Sequence, residues 1–296
     1  MKNIIVPTDF SEYANNAFDF ACSIAEHSKG EVTLLHVIEY PVMSIFNSTG
    51  EISMETITDA YIVNLKERAD EELNRRLTNP SYPNVRIKKQ VRIGNPYENI
   101  ARLIEQSGAD LVVMGTKGAS GLRELFIGSN AEKVVRFAKC PVITVPGKFR
   151  FNDIKKIAYG ITFDDDHNDA LFELKKFIHL FKAEIQLVWV NTLYDKVNDE
   201  DAKSKMDQLA KLQMLPNYSV NCYKSSAADD GLLYYAEENN IDMIAMSTHS
   251  RKGLVHIFTG SFAEDVVNHS KRPVWTFSLK RENIKAKTDE KQKQYQ

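Results

Sequence analysis

The feature that most constrains this chain is that its second half repeats its first. Shifting the segment that begins at Gly108 by 132 positions aligns GADLVVMGTKGASGLRELFIGSNAEKVVRFAKCPVITV with NIDMIAMSTHSRKGLVHIFTGSFAEDVVNHSKRPVWTF without a gap. Met114 then pairs with Met246, Gly128 with Gly260, Ser129 with Ser261, Glu132 with Glu264 and Pro141 with Pro273. At the front of each half, NIIVPTDFSEYANNAF aligns with KIAYGITFDDDHNDAL at a shift of 153, and EVTLLHV aligns with EIQLVWV at the same shift. A unit this long is a domain rather than a short solenoid repeat. The expected organisation is a domain over 1–146, a linker over 147–152 and a second domain over 153–279. The 21 residues separating the two shifts are extra residues of the first half, between Val37 and Gly94.

The 296 residues hold two domains of ordinary size. Hydrophobic residues make up 43% and charged residues 26%, with 38 basic against 40 acidic side chains for a net charge of -2. That balance is the composition of a globular chain and excludes collagen, a disulfide scaffold and disorder throughout. Near-neutral charge argues against binding nucleic acid by broad phosphate neutralisation. No apolar run approaches a membrane span, and MKNIIVPTDF lacks the apolar core and cleavage site of a signal peptide, so the expectation is a cytoplasmic protein without membrane insertion. Cys22, Cys140 and Cys222 form no CxxC pair and are expected to be packed thiols rather than ligands or nucleophiles.

Within each half, strands alternate with helical patterns, the signature of a parallel sheet covered on both faces. NIIVP reads as a first strand and Ser11 as the cap of a helix ending near Gly30. EVTLLHVIE follows as a strand, Thr56 to Leu77 as a polar amphipathic helix, and VRIKKQVRI as an alternating strand. Pro96 to Gln106 reads as a helix with proline in its first turn, DLVVMG as a buried strand, SNAEKVVRFA as a helix and CPVITVP as a short last strand. The tail, 280–296, is charged and aperiodic, and reads as disordered.

The informative segment is Gly115-Thr116-Lys117-Gly118, nine residues, then Gly128-Ser129-Asn130. Glycines at both ends of a loop permit positive φ and close backbone approach, and Ser129 and Asn130 open a helix whose unpaired amides suit a phosphate. Glycine in a loop also serves ordinary turns, so the spacing needs support. The pattern G-x2-G-x9-G-[ST], after a strand ending in Met and together with an amino-terminal strand ending P-T-D-F-S, resembles the nucleotide-binding branch of the universal stress protein family. Both halves resemble family domains, as in the family's tandem members.

The resemblance implies an α/β fold of two tandem Rossmann-like (adenine nucleotide alpha hydrolase-like) domains, each a five-stranded parallel sheet of order 3-2-1-4-5 with helices on both faces. It implies ATP across the carboxyl edge of the first sheet, with Pro7, Thr8, Asp9 and Val37 at the adenine and ribose end and Gly115, Gly118, Gly128, Ser129 and Asn130 at the phosphates. Met114 would line the pocket, and Mg2+ would ride on the phosphates. Without the loop motif, Asp9 reads equally well as a helix cap.

In the second half Gly160 stands for Pro7, Thr162 for Asp9, Ser247 for Gly115, Ser250 for Gly118 and Phe262 for Asn130. One nucleotide site per chain is therefore expected, with the second half as an intramolecular dimer partner and the strands PVITV and PVWTF as candidate pairing edges. Further pairing into a homodimer and an unidentified protein partner stay open. Asp164, Asp165, Asp166, His167 and His249 form a rival metal cluster, although acids at a helix start suit its dipole without any ion. His36 matches Trp189 and reads as a packed side chain. The functional expectation is an ATP-binding stress-response regulator; the alternatives are a slow ATP hydrolase, for which Lys117 and Arg123 are the loop's cations and no general base stands out, and a small-molecule or lipid carrier using the second half.

Overall fold

A computed structural model describes residues 1–39, 44–46, 52–54, 59–77, 81–116, 128–163, 165–193, 195–249 and 262–279. The first copy runs β1 (Asn3–Pro7), α1 (Glu12–Ser28), β2 (Glu31–Ile38), the hairpin β3 (Ser44–Phe46) and β4 (Ile52–Met54), α2 (Asp59–Leu77), β5 (Arg86–Ile93), α3 (Pro96–Ser107), β6 (Leu111–Gly115), α4 (Ser129–Phe137) and β7 (Val142–Val145). After one 3-10 turn at Phe151–Asp153 the second copy runs β8 (Lys156–Ile161), α5 (Asn168–Phe181), β9 (Glu184–Asn191), α6 (Asp199–Leu212), β10 (Tyr218–Lys224), α7 (Ala228–Glu238), β11 (Met243–His249), α8 (Phe262–His269) and β12 (Val274–Leu279).

The strands lie in the order β10-β9-β8-β11-β12-β7-β6-β1-β2-β5. Each copy contributes five parallel strands in the order 3-2-1-4-5, counting its sheet strands alone. Burial on both faces explains why β1 carries Ile4, Ile5 and Val6 in succession, each at most 1% exposed. The pleat sorts them: Ile4, Val6, Val32, Leu34, Leu111 and Val113 join one apolar layer, while Ile5, Leu35, Val112 and Met114 join the other.

Local chemistry sets the helix ends. Ser11 caps α1, its hydroxyl accepting from the Ala14 amide at 3.2 Å. Asn95 caps α3 ahead of Pro96, and Gly108 at φ +59° closes it. The hairpin β3–β4 falls in the first copy's extra residues, where no strand is expected from the sequence, although the residues N-S-T-G between SIF and ISM are turn-forming types.

The copies join through β7 and β12, which pair antiparallel with Val274 opposite Thr144, Trp275 opposite Ile143 and Thr276 opposite Val142. The joint is reciprocal, since the Thr144 hydroxyl donates to the Val274 carbonyl and the Thr276 hydroxyl to the Val142 carbonyl, each at 3.4 Å. Both apolar layers continue across it. The connecting segment is itself packed: Phe151, 7% exposed, stacks on His27 at 3.9 Å and on Phe181 at 4.5 Å, and its amide donates to Ser23 Oγ. The tail, 280–296, lies outside the described residues.

Candidate functional site

In the first copy, the chain crosses from one side of β1 to the other between β5 and β6, so β1 and β6 flank the point where an open α/β sheet parts at its carboxyl edge. Pro7 ends β1, Met114 and Gly115 end β6, and Val37 lies near the end of β2. Gly128, Ser129 and Asn130 open α4 on the same edge, tied to β6 by the Gly128 amide donating to the Thr116 carbonyl at 3.1 Å. Of the sequence-predicted residues, Gly118 lies outside the described set, as do Lys117 and Arg123.

The turn after β1 is held from several sides. The Thr8 amide donates to the Leu35 carbonyl at 2.8 Å, and Thr8 Oγ1 accepts from the Phe10 amide. Asp9 is exposed, and its Oδ1 accepts from the Ser11 amide at 3.0 Å, so it shapes the approach to α1 while Ser11 is the cap. Phe10 sits at φ +66°, a conformation costly for a side chain of its size, stacked on His36 with ring centroids 4.4 Å apart and with the Arg76 guanidinium 4.9 Å from its centroid. His36 Nδ1 lies 2.8 Å from the Thr8 carbonyl, which can only accept, so that nitrogen carries the proton. Burial lowers the His36 pKa below its ordinary value, against the opposing pull of the Thr8 carbonyl and Asp9.

Val37 presents backbone rather than side chain. The Leu35 carbonyl turns toward β1, and the Ile38 carbonyl turns the other way, to the Gly94 amide at 2.9 Å. Alternation along the strand then directs the N–H and C=O of Val37 to the β1 side, beyond the last residue of β1.

The two described loop glycines differ in their reasons. Gly115 does not have a positive φ; a Cβ there would lie 2.8 Å from the Tyr13 backbone, so the close approach it permits is to the start of α1. At Gly128, φ -59°, no atom of the described residues lies within 4 Å of where a Cβ would go, and among the described residues no side chain caps α4. The first helical bond beyond it runs from the Glu132 amide to the Gly128 carbonyl. The amides of Ser129, Asn130 and Ala131 precede that bond and have no acceptor within the helix.

The family model of the universal stress protein family matches residues 1–146 and again 153–278. The chain belongs to the universal stress protein family. One universal stress protein of Methanocaldococcus jannaschii is 34% identical over 144 residues, 49% of this chain and 81% of that protein. A second from the same organism is 30% identical over 155 residues, 50% of this chain and 96% of that protein. The crystal structure of a universal stress protein from Archaeoglobus fulgidus shares the fold through both halves, with a TM-score of 0.73 at 20% identity over 93% of this chain and 98% of that one.

The second universal stress protein copy treats the same edge differently. Gly160, at the position of Pro7, faces Leu232 Cδ2 at 2.9 Å from where its Cβ would be and the Phe262 ring at 3.7 Å. The Phe262 ring thus stands where the first copy has Asn130, whereas Leu232 is a core residue matching Ile100. The helix after β8 begins at Asn168, three residues later than the shift from Glu12 requires, so the position of Tyr13 falls before the helix and Ser247 is accommodated where Gly115 was needed. Ser247 Oγ instead faces His167 Nδ1 at 3.4 Å.

Of the rival metal cluster, His167 is 4% exposed, and Asp164 and the His249 side chain lie outside the described residues. The Nδ1 of His167 is 2.9 Å from the Tyr159 hydroxyl, and its Nε2 is 2.7 Å from the Thr162 carbonyl and 3.2 Å from the Thr162 amide. Both ring nitrogens are engaged within the fold, and Asp165 accepts from the Thr162 hydroxyl. Ser250, Gly260 and Ser261 lie outside the described residues. Among the described residues, no group of three His, Cys, Asp or Glu side chains is arranged to hold a metal, and no helix is long and apolar enough to cross a membrane. Cys22 and Cys140 are buried, and Cys222, on the outer strand β10, is partly buried and packed against the core.

Proposed function

We propose that this protein is an ATP-binding stress-response regulator with one nucleotide site per chain, in the first copy. Adenine and ribose take the Val37 backbone and the Pro7-Thr8-Asp9 turn, with Met114 and Gly115 lining the floor. The phosphates take Gly128, Ser129 and Asn130 together with Gly118, and Mg2+ is held on phosphate oxygens rather than by a protein cage. The observation that supports the reading is the convergence, on one sheet edge, of an exposed carboxylate, an outward strand backbone and a helix start whose first amides have no acceptor within the helix. The Phe262 ring at the matching edge, where the first copy has Asn130, supports a single site, with the second copy as an intramolecular partner.

Calorimetric titration of nucleotide-stripped protein with ATP and Mg2+ tests this. One site per chain is expected, weakened at least tenfold by Gly128→Val, whose backbone angles tolerate a side chain. Absence of binding, or two equal sites, overturns it. Following free phosphate in the same samples separates holding the nucleotide from turning it over.

A further inference from the structure

The last carbonyls of a helix have no partner within it and need donors from elsewhere. In α4 the Val134 carbonyl receives the Ala138 amide at 2.9 Å. The next two are served by the other copy: the Thr248 hydroxyl, on β11, donates to the Val135 carbonyl at 3.4 Å, and the Ser278 hydroxyl, on β12, donates to the Arg136 carbonyl at 3.0 Å. Arg136 also reaches Glu264 of α8 at 3.6 Å. Thr248 is 5% exposed, so its hydroxyl is committed to this contact rather than to water. One nine-residue helix therefore starts at the Gly128 cradle and ends in a cap that the second copy supplies.

We propose that Thr248 and Ser278 are positioning residues for the phosphate end of the site, resting on the nucleotide reading above. The second copy, with Phe262 at its own edge, completes the first copy's site by fixing the helix whose amides face the phosphates. The nucleoside end is held by β1, β2 and the Phe10–His36 stack, all within the first copy, so the two ends of the ligand depend on different parts of the chain.

That division is measurable with the full chain, by titrating ATP and adenosine separately into the wild type, the Thr248→Val/Ser278→Ala double variant and the hydroxyl-retaining Thr248→Ser/Ser278→Thr variant. Losing two helix-capping bonds is expected to weaken ATP roughly fivefold to thirtyfold, with adenosine unchanged within twofold and the hydroxyl-retaining variant close to wild type. Unchanged ATP affinity, or equal losses for ATP and adenosine, overturns the positioning role. A wild type that binds neither ligand overturns the nucleotide reading itself, a result the variants do not produce.

Discussion

At the scale of single residues, two glycines of one motif do different work. Gly115 abuts the Tyr13 backbone, and Gly128 has no described atom within 4 Å of where its Cβ would be. Gly115→Ala is expected to lower stability by about 1–3 kcal/mol, as overpacking does, whereas Gly128→Ala leaves the melting temperature nearly unchanged and weakens ATP. Thermal unfolding beside calorimetry distinguishes the two. His36 adds a pH dependence whose sign follows from its buried, neutral form. Its folded pKa lies below the ordinary 6.5, so below about pH 6.5 the unfolded chain takes up a proton that the folded chain resists. The His36 contribution is thus fully present above pH 6.5 and declines as the pH falls toward the folded value. Melting temperatures between pH 5 and 8 are expected to fall on the acid side in the wild type and to fall less in His36→Gln.

At the scale of elements, much was legible because its causes are local. The cap at Ser11, the proline opening α3 and the uninterrupted apolar strand β1 each declare themselves within a few residues. The strand order came with the family resemblance, and the sheet shows the same order in both copies. What escaped depends on distant contacts: Gly115 meets a backbone about a hundred residues away, and Gly160 meets Leu232 and Phe262. Spacing alone cannot tell a glycine needed for helix packing from one needed for a ligand. The start of α5 is a further case, where a histidine replaces a conventional cap and links Tyr159, Thr162 and Ser247. His167→Ala removes one of the two partners of the buried Tyr159 hydroxyl, leaving Ser247, and is expected to cost about 1–3 kcal/mol, read as a lower urea midpoint with an unchanged slope.

At the scale of the whole molecule, the ten-stranded sheet and the continuous apolar layers predict that the copies unfold together. Phe151 is the place to break that coupling, because its ring is held between α1 of one copy and α5 of the other. Phe151→Ala is expected to cost about 3–5 kcal/mol and to divide a single calorimetric transition into two.

The covalent connection through Phe151 also decides how the two copies can diverge. In a symmetric pair of separate identical chains, any substitution enters both subunits at once, and a change that closes one cleft closes the other. Fusion removes that constraint: Phe262 occupies one edge while Asn130 remains at the other. Inheritance of the two halves as unequal specialists, one keeping the ligand and one keeping the scaffold, is open to this chain and closed to a homodimer.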